Sequence, residues 1–379
     1  MALFSRPCGG FGQELLITDH YEIRGADREG MEWIAADLEG RFAIYTRLFR
    51  FNPQSLAAPL KVRLIDDAAV YGDLTGRLGE GSVAALYLHY RQEDRRELVI
   101  NYGEGTGWER ALPYQSFVQY LRSFIANPPT WIMDGFSIYF STLSIEGGEL
   151  AYAENLSWLD RVKELPAVPV RDILLLNVQD SDVVLSRDDY SGLSWALVSF
   201  FLNSGDDEYF RSLLECFLLL SPDAGLTENS TVLAEWIGNW NGFETLNRDY
   251  HAYIAARKTF PELMDEGRRA YGEGDLNRAE PAFVVARDQR PGHYAPYYYL
   301  GLIAYGRGDW DRADRYYNSS LERGAESALV YYALGLNAAA AERDDRAVEF
   351  LQLAIDADPV RYRERANVLL RQLQARQQP

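Results

Sequence analysis

The sequence has few of the residues that build disulfide frameworks and metal centres, and it has no long apolar run. Its 379 residues include two cysteines, Cys8 and Cys216, whose separation fits no disulfide framework. No run of about 18 apolar residues occurs, so we expect no membrane-spanning helix. The four histidines are scattered without metal-ligand spacing: His20, His89, His251 and His293.

Basic residues are also scarce relative to acidic ones. Lys and Arg number 38 against 56 Asp and Glu, a formal net charge of -18. Such a chain repels phosphate backbones, so we expect no nucleic-acid partner. Hydrophobic residues make up 47% and the chain has 25 tyrosines, enough for two or three domains with real cores.

The start of the chain leaves its compartment open. Residues 1–13 form a Gly-containing leader without the apolar core of a signal peptide. They are equally compatible with the mature end of an exported protein.

The first 140 residues predict an α+β fold. Alternating apolar residues indicate a strand over 14–24, and helical spacing indicates a helix over 27–49. Three further β-rich runs cover 60–65, 83–90 and 97–102. Residues 141–258 then form a helical subdomain. We expect it to begin with a helix over 141–155, in which Gly147-Gly148 is a point of interruption.

A helix–loop–helix follows the last predicted strand. Phe117, Leu121 and Phe124 recur at helical spacing, and the Pro128-Pro129 pair ends that helix because proline lacks an amide hydrogen. The second helix covers 131–140.

This segment resembles the active-site helices of gluzincin metallopeptidases of the peptidase-MA-like kind. Their pattern HEFVHYL corresponds to QSFVQYL here, and their WLNEGLAEYF corresponds to WIMDGFSIYF. The resemblance covers about residues 14–257. It places Gln115 and Gln119 at the histidine positions, Ser116 at the general base, and Asp134 at the third zinc ligand.

The resemblance therefore implies a peptidase-like domain that has lost its zinc site. A neutral carboxamide is a weak zinc donor, and the base that would activate the metal-bound water is missing. We expect no metal, no cofactor and no catalysis. Two alternatives stay open: the four residues are ordinary polar positions, or Asp134 acts with Glu104 or Glu109 in a metal-independent hydrolase.

Residues after 260 repeat with the 34-residue period of tetratricopeptide (TPR) units. Three columns keep this period: Gly267, Gly301 and Gly335; Ala279, Ala313 and Ala347; Phe283, Tyr317 and Leu351. We therefore expect an all-α TPR superhelical domain over 260–379, with three units and a solvating cap helix over 361–374.

The inner helices of such a domain form a groove that can bind a protein or peptide. We expect the following residues to face it: Met264, Tyr271, Tyr298, Leu302, Tyr305, Tyr332 and Leu336. Tyrosine suits such a surface because it combines a large ring with a polar end. The sequence thus favours a non-catalytic adaptor or scaffold. The alternative is a helical extension that only packs on the first domain. The oligomeric state is not specified.

Overall fold

The computed structural model describes residues 14–76, 83–103, 105–146, 149–151, 154–176 and 185–377. The leader with Cys8, and also Glu104 and Gly147-Gly148, lie outside these ranges. The chain divides after Arg257 into two units.

The first unit contains a five-stranded mixed sheet. Its strands are β1 (Glu14–Ile17), β2 (Tyr21–Gly25), β3 (Leu60–Ile65), β4 (Ala85–Leu88) and β5 (Glu97–Asn101). They lie in the order β1-β2-β3-β5-β4. The β2–β3 and β3–β5 pairs are parallel, and the two outer pairs are antiparallel. The predicted small sheet is confirmed.

The single strand expected over 14–24 is wrong, because the chain reverses at Thr18–His20. The backbone N–H of Thr18 donates to the carbonyl oxygen of Tyr21 at 2.9 Å. The Glu39 carboxylate accepts from the Thr18 hydroxyl at 2.6 Å and the His20 N–H at 2.9 Å. These bonds hold the turn of a β1–β2 hairpin.

Helices make up most of the rest of the first unit. Those described are α1 (Arg28–Phe49), α2 (Ala68–Gly76), α3 (Trp108–Phe124), α4 (Thr130–Tyr139), α5 (Leu159–Glu164), α6 (Val170–Leu175), α7 (Arg187–Asn203), α8 (Asp207–Cys216), α9 (Leu226–Asn241) and α10 (Phe243–Ala256). Sequence analysis missed α2. The helix expected over 141–155 is replaced by a two-stranded hairpin of β6 (Ser144–Glu146) and β7 (Glu149–Ala151).

Aromatic rings join α1, α3 and α4 into one core. The ring of Phe49 lies 5.4 Å from Phe117 and 5.0 Å from Phe136, and the ring of Phe140 lies 5.3 Å from Phe117. The same buried cluster continues through α7, α8 and α9. The core is therefore continuous across residue 140, where sequence analysis placed a subdivision.

The second unit consists of paired helices, as predicted. They are α11 (Phe260–Gly272), α12 (Leu276–Gln289), α13 (Tyr294–Gly306), α14 (Trp310–Glu322), α15 (Ser327–Ala340), α16 (Asp344–Ala357) and the final α17 (Pro359–Gln377).

Each pair is held at close range by a glycine and by the large residue sixteen positions later. A Cβ atom on Gly267 would lie 2.6 Å from the Phe283 ring, and one on Gly301 would lie 2.5 Å from the Tyr317 ring. On Gly335 it would lie 2.9 Å from Leu351. The glycine column and the column of Phe283, Tyr317 and Leu351, both found in the sequence, are thus the two sides of one repeated contact.

This contact predicts that Gly301→Ala destabilises the second unit. The added methyl group overlaps the buried Tyr317 ring, which should cost about 1–3 kcal/mol of unfolding free energy. Gly272→Ala is the matched control, since a Cβ there meets nothing within 4 Å. Thermal and urea unfolding of the two variants measure the difference. Equal stability of both would show that the pair can separate without cost.

Candidate functional site

The two glutamines at the histidine-like positions bind the sheet. Being four residues apart, they lie on one face of α3. The Gln115 Oε1 accepts from the backbone N–H of Tyr87 at 2.9 Å, and the Gln119 Nε2 donates to the carbonyl oxygen of Lys61 at 2.8 Å. Both amides therefore satisfy strand backbone at the places where β3 and β4 meet the helix.

Ser116 lies on a different side of α3, fully buried. Its hydroxyl donates to the Pro113 carbonyl oxygen at 3.0 Å and lies 3.3 Å from the Tyr45 hydroxyl. It therefore contacts α1 and its own helix.

Asp134 contacts α7. Its side chain is 5% exposed, and its Oδ2 accepts from the Ser191 hydroxyl at 3.4 Å. Burial raises its pKa to about 6, and Arg187, Ser191 and Arg122 partly oppose that rise. Among the described hydrogen bonds, none joins any two of Gln115, Ser116, Gln119 and Asp134.

A cavity of about 330 Å³ lies beside Gln119. The loop before β3 and the turn before β5 form its walls, and Lys61, Tyr87 and Arg96 contribute polar groups. The Gln119 Oε1 is buried without a hydrogen-bond partner among the described residues. This amide is the only one of the four predicted site residues that lines the cavity.

A second candidate site is a groove of about 230 Å³ in the repeat unit. Five of the seven residues expected to face a partner line it: Tyr298, Leu302, Tyr305, Tyr332 and Leu336. The first helices of two successive pairs, α13 and α15, supply them. Tyr317, Leu329 and Ala333 complete the walls, together with Arg361, Tyr362 and Arg365 from α17.

The other two expected groove residues lie elsewhere. Met264 is 2% exposed and packs with Phe260, Leu263 and Ala270 in the core of the first pair. Its position in the repeat predicted that its side chain would face the groove, but the side chain lies on the packed side of α11. Tyr271 is half-buried, with its ring 5.9 Å from that of Tyr299, and does not line the groove.

Sequence analysis missed the contribution of α17. It assigned residues 361–374 only to covering the last pair. The sequence feature that could have indicated a role for α17 in binding is its charge, since it carries five arginines and one glutamate in an acidic chain.

The tyrosines of the groove keep their hydroxyls free of the protein. Tyr298, Tyr305, Tyr317, Tyr332 and Tyr362 make ring contacts, but among the described residues their hydroxyls form no hydrogen bond. Tyr317 and Tyr362 are only 1% and 2% exposed, yet both line the groove. Their hydroxyl oxygens are not among the buried polar atoms that lack a partner, so they remain accessible from the groove and can bond an occupant.

Comparisons with known proteins add little to this geometry. Neither a family model nor a curated protein matches the sequence. One solved structure, titled "First TPR of Spaghetti (RPAP3) bound to HSP90 peptide SRMEEVD", is 14% identical, with a TM-score of 0.29 over 31% of this chain and 90% of that chain. Likeness at that score carries no argument, and the repeat assignment rests on the helix pairs themselves. No comparison supports the gluzincin resemblance.

The described residues contain no cluster of three or more His, Cys, Asp or Glu side chains arranged to hold a metal ion. Within the same ranges, no helix has the length and apolar character needed to cross a bilayer.

The buried Asp134 predicts a pH-dependent gain in stability for Asp134→Asn. Because its folded pKa of about 6 exceeds the ordinary aspartate value of 3.8, the native state is favoured at low pH. That stability is lost as pH rises through about 6. At pH 8 the variant should exceed the wild type by up to about 3 kcal/mol, and by about half as much at pH 5.

Chemical denaturation at the two pH values measures this gain. Asp188→Asn serves as the control, because the side chain of Asp188 is 69% exposed on the first turn of α7. A gain for Asp134→Asn that does not grow with pH would contradict the account of a buried ionised carboxylate.

Proposed function

We propose that the protein is a non-catalytic, peptidase-like binding protein whose TPR groove takes up a segment of a partner protein. The observation that carries this proposal is the set of unbonded tyrosine hydroxyls in the α13–α15–α17 groove. None of these oxygens is among the buried polar atoms that lack a partner, so they open on the groove, where an occupant can bond them.

The side chains that line the groove suit a peptide. Leu302, Leu329 and Leu336 offer apolar contact in addition to the tyrosine rings. Tyrosine hydroxyls can both donate to and accept from peptide groups, so they can bond the backbone or the polar side chains of an occupant. Tyrosine is enriched in surfaces that bind other proteins.

The proposal that the first unit is non-catalytic rests on its side-chain chemistry. At the positions where the resemblance would place zinc ligands, Gln115 and Gln119 carry neutral carboxamides, which are weak zinc donors, and each amide is tied to the sheet by one hydrogen bond. The Ser116 hydroxyl donates to the Pro113 carbonyl oxygen, and no described contact joins Ser116 to Asp134.

The metal-independent hydrolase has less support. Asp134 has its charged neighbours in Arg187 and Arg122, and no described contact joins it to Glu109, which is exposed on the first turn of α3. Glu104 lies outside the described residues. No observation favours an acid–base pair here.

Peptide selection tests the groove directly. Decapeptides selected from a random phage-displayed library on the full chain should lose about 30-fold in affinity to Tyr298→Ala or Tyr332→Ala, the scale of an interface hot spot. The variants Tyr298→Phe and Tyr332→Phe should lose less affinity and keep the wild-type melting temperature, since neither hydroxyl is bonded inside the protein.

The neighbouring Tyr297 provides a matched control. Its hydroxyl donates to the Pro291 carbonyl oxygen at 3.1 Å, and its side chain does not line the groove. Tyr297→Phe should therefore lower stability by about 1 kcal/mol without changing peptide affinity. If the selected peptides bind Tyr298→Ala and Tyr332→Ala as tightly as the wild type, the groove is not the peptide-binding site.

Zinc titration tests the first unit. We expect Zn²⁺ to leave the melting temperature unchanged, because a ligand stabilises a protein only if it binds the native state. Melting curves with and without chelator, in wild type and Asp134→Asn, measure this. A saturable, one-to-one stabilisation by zinc that Asp134→Asn abolishes would contradict the non-catalytic assignment.

A further inference from the structure

We propose that Arg365 makes the groove selective for peptide segments that carry an acidic side chain. This inference rests on the proposed function, because it names the chemistry of what the same groove binds. The two arginines of the groove wall, Arg361 and Arg365, lie one helical turn apart on α17 and differ in how their charge is used.

Arg361 is already neutralised. Its Nη1 lies 3.0 Å from the Glu326 Oε2 and 3.3 Å from Oε1, and its guanidinium lies 5.3 Å from the centre of the Tyr362 ring. Arg365 lines the same groove, but it forms no ion pair or hydrogen bond with any described residue. The groove wall therefore holds one uncompensated positive charge.

The sign of that charge selects among possible occupants. Tyrosine faces attract cations, but a cationic segment would meet the uncompensated guanidinium of Arg365 in the same wall. A phosphorylated side chain carries about -1.5 to -2 charges at pH 7, more than one guanidinium compensates. A carboxylate carries one charge and accepts two parallel N–H bonds from arginine.

The hydroxyls of the groove support the same ligand. Tyr298, Tyr332 and Tyr362 can donate hydrogen bonds to the carboxylate oxygens that Arg365 does not reach. The formal net charge of -18 does not override this local effect. At physiological ionic strength, charges more than about 8 Å away are largely screened.

A double-mutant cycle between peptide and protein tests the inference. Each selected decapeptide is synthesised as its acidic form and as the matched amide, with Asp changed to Asn and Glu to Gln. Affinities are measured by fluorescence polarisation for the wild type, Arg365→Gln and Arg363→Gln. Arg363 is the control, because it is exposed on the same helix and does not line the groove.

We expect the amide form to bind the wild type and Arg363→Gln at least about tenfold more weakly than the acidic form. That difference should disappear in Arg365→Gln, which marks a direct interaction between the two groups. Melting temperatures should be alike for all three proteins, because Arg365 has no partner to lose.

Two results would overturn the inference. If the amide forms bind as well as the acidic forms, the groove binds peptide without selecting charge, and the proposed function survives alone. If the acidic preference persists in Arg365→Gln, another cation provides it. If the peptides bind Tyr298→Ala and Tyr332→Ala with the same affinity as the wild type, the proposed function itself has failed.

Discussion

The second unit depends on the contact between a helix glycine and the large residue sixteen positions later. Because a Cβ atom on the glycine would lie only 2.5 to 2.9 Å from the facing side chain, the two helices of each pair come closer than ordinary side chains allow. In the middle pair the facing residue is Tyr317, and its ring passes under Gly301 while its side chain still lines the groove. One packing constraint thus holds the pair together and brings a polar group to the binding surface.

The first unit uses buried polar side chains differently. Gln115, Ser116 and Gln119 bond backbone groups of the sheet and of α3, and Asp134 bonds α7. The residues that would act together in a peptidase thus serve separate contacts between layers. The groove of the second unit shows the reverse pattern, with hydroxyls and one guanidinium that no described residue satisfies. Because these groove hydroxyls are not among the buried polar atoms that lack a partner, an occupant of the groove can reach them, and we therefore assign binding to the repeats.

The periodicity of the sequence predicted those features of the fold that are set by local spacing and by the repeat. The 34-residue columns gave the helix pairs, and five groove tyrosines and leucines followed from position in the repeat. The turn at Thr18–His20 was missed because Glu39, from a distant helix, holds it. Met264 was misplaced because its side chain packs into the core of the first pair with Phe260, Leu263 and Ala270, which its position in the repeat does not reveal. Arg365 was missed because α17 lies outside the repeat, so only its packing reveals which face it presents.

The account's central claim is that the α13–α15–α17 groove is the site of partner binding. Photo-crosslinking of a bound decapeptide tests this most directly, with p-benzoylphenylalanine placed at Leu302 in the groove or at Val348, which is 37% exposed on α16 and does not line it. The account predicts crosslinks from position 302 that excess unlabelled peptide removes, and none from position 348. Crosslinks from position 348 alone would contradict it.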